Sequence, residues 1–209
     1  NAQTNIGGLL NLLQLSSQYQ VKHFLYVSSA DVFGDLKGIM GEDDVPQPSQ
    51  GQGGSHYFQA HCLLNWKRDN GLPATVVRLP QVYGPGQQPA SGPLARFFTA
   101  AVRHKPITVN IAENRPTQLL YVEDAVYGIY DVVDRGYTED IIHIASDELV
   151  AWQDIMTRCQ SFMEMPELEN MLQAEREEFW LPQLSNERSK RELGWTQKHK
   201  ALDNLQATY

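Results

Sequence analysis

Gly71-Leu72-Pro73-Ala74-Thr75-Val76-Val77-Arg78-Leu79-Pro80-Gln81-Val82-Tyr83-Gly84-Pro85-Gly86 is the stretch that decides the fold. Asn70-Gly71 reads as a helix stop, because glycine readily takes the left-handed conformation that closes a helix end. Pro73 cannot continue a helix. The apolar run 74–79 then reads as a short buried strand, and Tyr83-Gly84-Pro85-Gly86 closes the unit with turn residues.

Working outward, the residues before this stretch predict a helix over 55–69 and a Gly-, Pro- and Asp-rich loop over 35–54. Before these comes a strand over 21–27, ending at Ser28-Ser29. Residues 5–18 place Ile6, Leu9, Leu10, Leu12, Leu13 and Leu15 along a helical stripe. Downstream the patterns predict a helix over 94–103, strands over 107–111 and 118–122, and a helix over 123–134. That last helix would carry Ala125, Val126, Ile129, Tyr130 and Val133 on one face. A strand over 141–144 and helices over 151–164 and 185–193 follow. Strands alternating with helices of this length predict βαβ units, hence a parallel sheet with helices on both faces. Ligands of such sheets sit outside the carboxyl ends of the strands, where this sequence has Ser28-Ser29 and the run from Gln81 to Gly86.

The 209 residues are enough for one good core, and a hydrophobic share of 42% with 20% charged residues is that of a globular protein. A net charge of -8 argues against a nucleic-acid partner. Arg188, Lys190, Arg191, Lys198 and Lys200 are interrupted by Glu187 and Glu192, as on a solvated helix face. No run approaches the ~20 apolar residues of a membrane span, so no membrane partner is expected. The first residues have no signal-peptide pattern. Cys62 and Cys159 are far apart and read as two thiols in a reducing, cytoplasmic setting. The six histidines show no metal-ligand spacing, so no metal is expected.

Five segments, in order, resemble the extended short-chain dehydrogenase/reductases, the NAD-dependent nucleotide-sugar epimerases and dehydratases. They are Asn5 to Leu13, Phe24 to Gly34 (FLYVSSADVFG), Gly71 to Gly86, Tyr121-Val122-Glu123-Asp124-Ala125, and Ser189 to Trp195 (SKRELGW). The resemblance implies an α/β, Rossmann-type parallel sheet, incomplete at its N-terminus, with a small C-terminal substrate-binding region. It assigns 1–82, rejoined by 119–145, to the Rossmann part, and 83–118 with 146–209 to the substrate part. It also implies NAD or NADP as cofactor, a nucleotide sugar as substrate, and a homodimer through helices 5–18 and 55–69.

Two departures from the family pattern stand out. The glycine fingerprint that cradles the dinucleotide pyrophosphate is absent, and Gly7-Gly8 follows no strand. The expectation is a fragment or a partnered chain. The family's Tyr-x-x-x-Lys, in which the lysine charge favours the phenolate one helical turn away, is also missing. The nearest equivalent is Tyr57-x-x-x-His61. Counting back from Gly71 by the family's helix length instead puts the tyrosine position near Gly53 and the lysine position near Tyr57, which leaves Tyr57 a packing role.

The resemblance makes Ser29, Tyr57 and His61 the catalytic candidates. Ser29 would bind the reacting sugar hydroxyl, or finish its strand on local backbone. Ser28, Pro80 and Val82 fall on the cofactor side. Gln81 (in place of the family's Asn), Tyr83, Arg115 and Thr117 fall on the substrate side, where Arg115 could reach a phosphate. Two readings follow: a nicotinamide-dependent epimerase or dehydratase, and a non-catalytic relative that binds or scaffolds.

Overall fold

The computed structural model describes residues 2–88, 92–103, 116–163 and 182–208. Helix α1 (Ala2–Gln18) leads into strand β1 (Phe24–Ser29), a 3-10 turn (Ala30–Phe33) and β2 (Ile39–Met40). Next come α2 (Gly51–Asn70), β3 (Ala74–Leu79), β4 (Gln81–Tyr83), α3 (Pro93–Val102), β5 (Thr117–Tyr121) and α4 (Val122–Asp134). The chain continues through β6 (Ile141–His143), β7 (Leu149–Val150), α5 (Trp152–Gln160), β8 (Gln183–Leu184), α6 (Glu187–Leu193) and α7 (Leu205–Thr208).

The central sheet has the order β1-β3-β6, all parallel, with Ser28 beside Arg78 and Arg78 beside His143. Every residue of β3 is buried, so this strand is covered on both faces, as its unbroken apolar run requires. Val76 and Val77, each 0% exposed, point to opposite faces; each contributes roughly 1.5–3 kcal/mol by burial. Val76 packs with Leu9 and Leu13 of α1 and Ala60 and Leu63 of α2. Val77 packs with Leu120, Ala125, Val132 and Ile142. A second sheet, β4-β5-β7, carries another core built on Tyr83, Phe97, Phe98, Tyr121 and Ile155.

Gly71 closes α2 as the sequence predicts, at φ 68 with its N–H on the Lys67 carbonyl. The start of α2 differs from expectation, since the helix begins at Gly51 inside the predicted loop 35–54. The reason is tertiary. A Cβ added at Gly53 would lie 2.2 Å from the Asp31 carbonyl oxygen, so this bare turn of helix fits closely under the 3-10 turn. That packing overrides the poor helix propensity of glycine. The same loop also contains β2, a two-residue strand paired with β8 and too short to leave a period in the sequence.

In α4 the inward stripe is Ala125, Gly128 and Val132, while Val126, Tyr130 and Val133 are exposed. Gly128 sets this rotation, because a Cβ there would stand 2.4 Å from Ile144 Cγ2. The predicted strand 107–111 lies outside the described residues, as does the last residue of the predicted helix 151–164.

The C-terminal segment is tied back by Asp124, 1% exposed. Its carboxylate accepts the N–H groups of Lys198 (3.1 Å) and His199 (3.0 Å), and His199 Nδ1 lies 3.1 Å from the same group.

Candidate active site

Polar groups collect where the carboxyl ends of β1 and β3 meet the first half of α2. Side chains alternate along β1, so Tyr26 and Ser28 share one face and Ser29 the other. Ser28 is buried with no partner for its Oγ among the described residues. Ser29 caps the 3-10 turn, its Oγ accepting the Asp31 N–H at 3.2 Å. This is the local-backbone role, and it leaves the serine oxygen a second lone pair while its hydroxyl hydrogen faces the Asp31 carboxyl. Burial raises the Asp31 carboxyl above its ordinary range, with His56 and the Ser29 hydroxyl pulling it back.

His56 lies in the second turn of α2. Its Nδ1 is 2.8 Å from Tyr26 Oη. Burial pushes the Tyr26 phenol up to about 12, so at neutral pH it is a donor. Burial lowers His56, against the opposing pull of Asp31. A neutral imidazole accepting at Nδ1 carries its hydrogen on Nε2.

Tyr57 and His61 do stand one turn apart, their rings 6.2 Å centre to centre, but no hydrogen bond joins them. Both lie on the exposed side of α2, with Tyr57 38% and Phe58 49% exposed. Gly53, where the counted register places the family's tyrosine, has no room for any side chain.

Arg78, 3% exposed, lies over the Phe33 ring at 5.0 Å, with Nη1 3.4 Å from His143 Nε2 and Nε unpartnered among the described residues. Burial brings it down to about 10, opposed by Glu42 and Tyr57. His143 is forced to about 3 by burial and the Arg78 charge, so it stays neutral and accepts from the guanidinium.

After β3, Pro80 is buried and Val82 half-buried, Val82 packing on the Val77 side of the sheet. Gln81 is 8% exposed and its Nε2 has no partner among the described residues. Tyr83 is held in the core, its ring 5.5 Å from Tyr121 and its hydroxyl donating to the Lys200 carbonyl at 3.5 Å. Thr117 opens β5 beside Val150 in the second sheet. Arg115 lies outside the described residues.

Ser28 near the end of β1 and Gln81, which opens β4 two residues after β3 ends, thus each carry a buried polar atom without a partner among the described residues. Such atoms are costly unless something bonds them, and their donors and acceptors suit an amide or a ribose hydroxyl. The residues present fit the nicotinamide end of a dinucleotide. Sequence reasoning missed Tyr26, Asp31, His56 and Arg78. The period of two from Ser28 back to Tyr26 was the available signal for the first. No three acidic, histidine or cysteine side chains gather as a metal site among the described residues, and no described helix is long and apolar enough to cross a membrane.

Residues 1–145 match the NAD dependent epimerase/dehydratase family. A dTDP-glucose 4,6-dehydratase of Neisseria meningitidis is 29% identical over 154 residues, 68% of this chain and 43% of that protein. This chain therefore spans less than half of that relative's length. Among solved structures, the UDP-glucose 4-epimerase of Thermotoga maritima with UDP-glucose superposes with a TM-score of 0.88 at 26% identity. The match covers 100% of this chain and 69% of that one. A dTDP-glucose 4,6-dehydratase of Streptomyces venezuelae with NAD bound shares the fold, with a TM-score of 0.87 at 22% identity over 99% of this chain and 65% of that one.

Proposed function

This chain belongs to the NAD-dependent epimerase/dehydratase family, and from that membership we propose that it provides the sugar-binding and nicotinamide-facing part of an enzyme acting on a nucleotide sugar with NAD or NADP. One observation carries the reading: two buried side-chain atoms without partners among the described residues, Ser28 Oγ near the carboxyl end of β1 and Gln81 Nε2 two residues past the carboxyl end of the adjacent parallel β3, fall where this sheet type binds ligands. In this reading residues 1–82 with 119–145 form the cofactor side, and 83–118 with 146–209 the sugar side.

When bound, the nicotinamide supplies hydride acceptance and return at the sugar carbon. Ser28 and Gln81 orient that end, with Pro80 and Val82 as its apolar wall. Ser29 binds the reacting hydroxyl with the hydrogen-bonding capacity its cap leaves free. Tyr57, with His61 one turn on, is the candidate base from α2. Gln81, Arg115 and Thr117 are the candidates on the sugar-nucleotide side, whereas Tyr83, buried in the core with its hydroxyl on the Lys200 carbonyl, acts in packing rather than in ligand contact.

The closed position at Gly53 favours a second reading, a relative that binds the same ligands without turning them over. Calorimetric titration of the purified chain with NAD+, NADP+ and UDP-glucose tests what the two readings share. Micromolar to millimolar binding of at least one is expected, and failure to bind any would overturn both. Turnover of a bound sugar then separates them.

The exposed Leu12 and Leu15 of α1, Tyr19 just after it, and Tyr57 and Phe58 of α2 support a homodimer through these two helices. Free Cys62 and Cys159 support a cytoplasmic setting.

A further inference from the structure

Resting on the reading above, we propose that His56 is the hydrogen-bond donor this site offers to a hydroxyl oxygen of its ligand, through Nε2–H, and that Tyr26 is the positioning residue that fixes this form. The geometry supports each half. Tyr26 comes from the same face of β1 as the unpartnered Ser28, and its hydroxyl reaches α2 at His56 Nδ1, 2.8 Å away. The two rings are tilted by 47° with centroids 6.2 Å apart, so the contact runs through the polar atoms rather than by stacking. With Nδ1 engaged, the remaining nitrogen has no protein partner among the described residues, and it is not among the buried atoms sealed from solvent. The other titratable group facing the ring is Asp31, from the 3-10 turn. Asp31 also adjoins Ser29, whose Oγ accepts its N–H. Ser29, Asp31, His56 and Tyr26 therefore gather between the end of β1 and α2, the Ser29–Asp31 and Tyr26–His56 pairs hydrogen-bonded and Asp31 acting on His56 through its charge.

A neutral phenol that donates to Nδ1 leaves only Nε2 to carry the imidazole hydrogen. The site thus holds an uncharged, oriented donor. A hydroxyl of a nucleotide sugar and a ribose hydroxyl of a dinucleotide present the same acceptor chemistry. The side chain needs no proton from solvent to serve either.

The test uses the full chain labelled with 15N in histidine. In the free protein, His56 is expected to show a protonated Nε2 and an unprotonated Nδ1. UDP-glucose and NAD+ are titrated separately, and the arm in which the Nε2 resonance moves identifies which hydroxyl is bound. Tyr26→Phe should mix the two tautomers and weaken that ligand about tenfold, within the range of one hydrogen bond. His56→Gln, which keeps a donor, should bind more tightly than His56→Ala, which has none. These two variants also carry the test if Tyr26→Phe folds poorly. An Nδ1–H tautomer in the free protein would overturn the proposal, as would ligand binding that leaves His56 unmoved and spares the affinity of Tyr26→Phe. Failure of both ligands, and of NADP+, to bind overturns the functional reading and the donor role with it. Binding with a silent His56 overturns the donor role alone.

Discussion

Tyr26 Oη and His56 Nδ1 meet at 2.8 Å across the junction of β1 and α2, joining the central sheet to the helix that follows it. The pair is half-buried, so losing one partner leaves the other less than fully solvated. Tyr26→Phe is expected to destabilise the fold by about 1 kcal/mol, the net value of one such bond. Urea unfolding of the variant beside the parent checks this.

Gly53 and Gly54 make a matched pair of probes. Both lie in α2, where alanine is favoured over glycine by about 1 kcal/mol. A Cβ at Gly54 meets nothing within 4 Å, whereas one at Gly53 collides with the Asp31 carbonyl at 2.2 Å. Gly54→Ala should therefore raise the unfolding midpoint. Gly53→Ala should lower it, because a backbone clash costs roughly 1–3 kcal/mol and outweighs the propensity gain.

Asp124 should prove a structural anchor. Its buried carboxylate satisfies two backbone N–H groups of the C-terminal segment, and unsatisfied buried donors cost about 1–3 kcal/mol each. Asp124→Ala is expected to destabilise by about 2–4 kcal/mol, somewhat less than the two penalties in full because the freed segment can reach water. Amide exchange at 195–201 should quicken well before the central sheet opens.

Stability should fall on acidification. His143 is driven by burial to about 3, and His56 and His23 are lowered as well. The unfolded chain takes up protons first as pH drops below ~6.5, so stability is full above that value and declines beneath it. His143 alone removes at most about 1.4 kcal/mol per pH unit. Burial raises Asp31 and Glu42, and these act with the opposite sign, partly offsetting the loss below about pH 5. Urea midpoints from pH 7 to 5 should therefore slope downward, and His143→Gln should flatten the slope.

Much of this fold was legible in the sequence. The stop at Gly71, the doubly buried run 74–79 and the turn after Tyr83 each have a local cause, and each stands where the pattern put it. What local patterns missed depends on contacts between distant segments. The glycine-rich first turn of α2 is helical only because Asp31 sits above Gly53. β2 exists only because β8 arrives from more than a hundred residues away. The rotation of α4 follows from Ile144 pressing on Gly128. The site followed the same rule. Ser29 and Gln81 were visible from their place after strands, although Gln81 opens the short strand β4 rather than a turn, but the Tyr26–His56 pair joins residues thirty apart, and no spacing within one element records it.

The central claim is that ligand binds over the carboxyl ends of β1 and β3, against the start of α2. Amide chemical shifts of the full chain, followed while UDP-glucose and NAD+ are added in turn, test it most directly. The account predicts saturable shifts concentrated at residues 28–31, 53–57 and 80–82. Binding that perturbs other regions and leaves these three segments still would contradict it, as would the absence of any shift with both ligands.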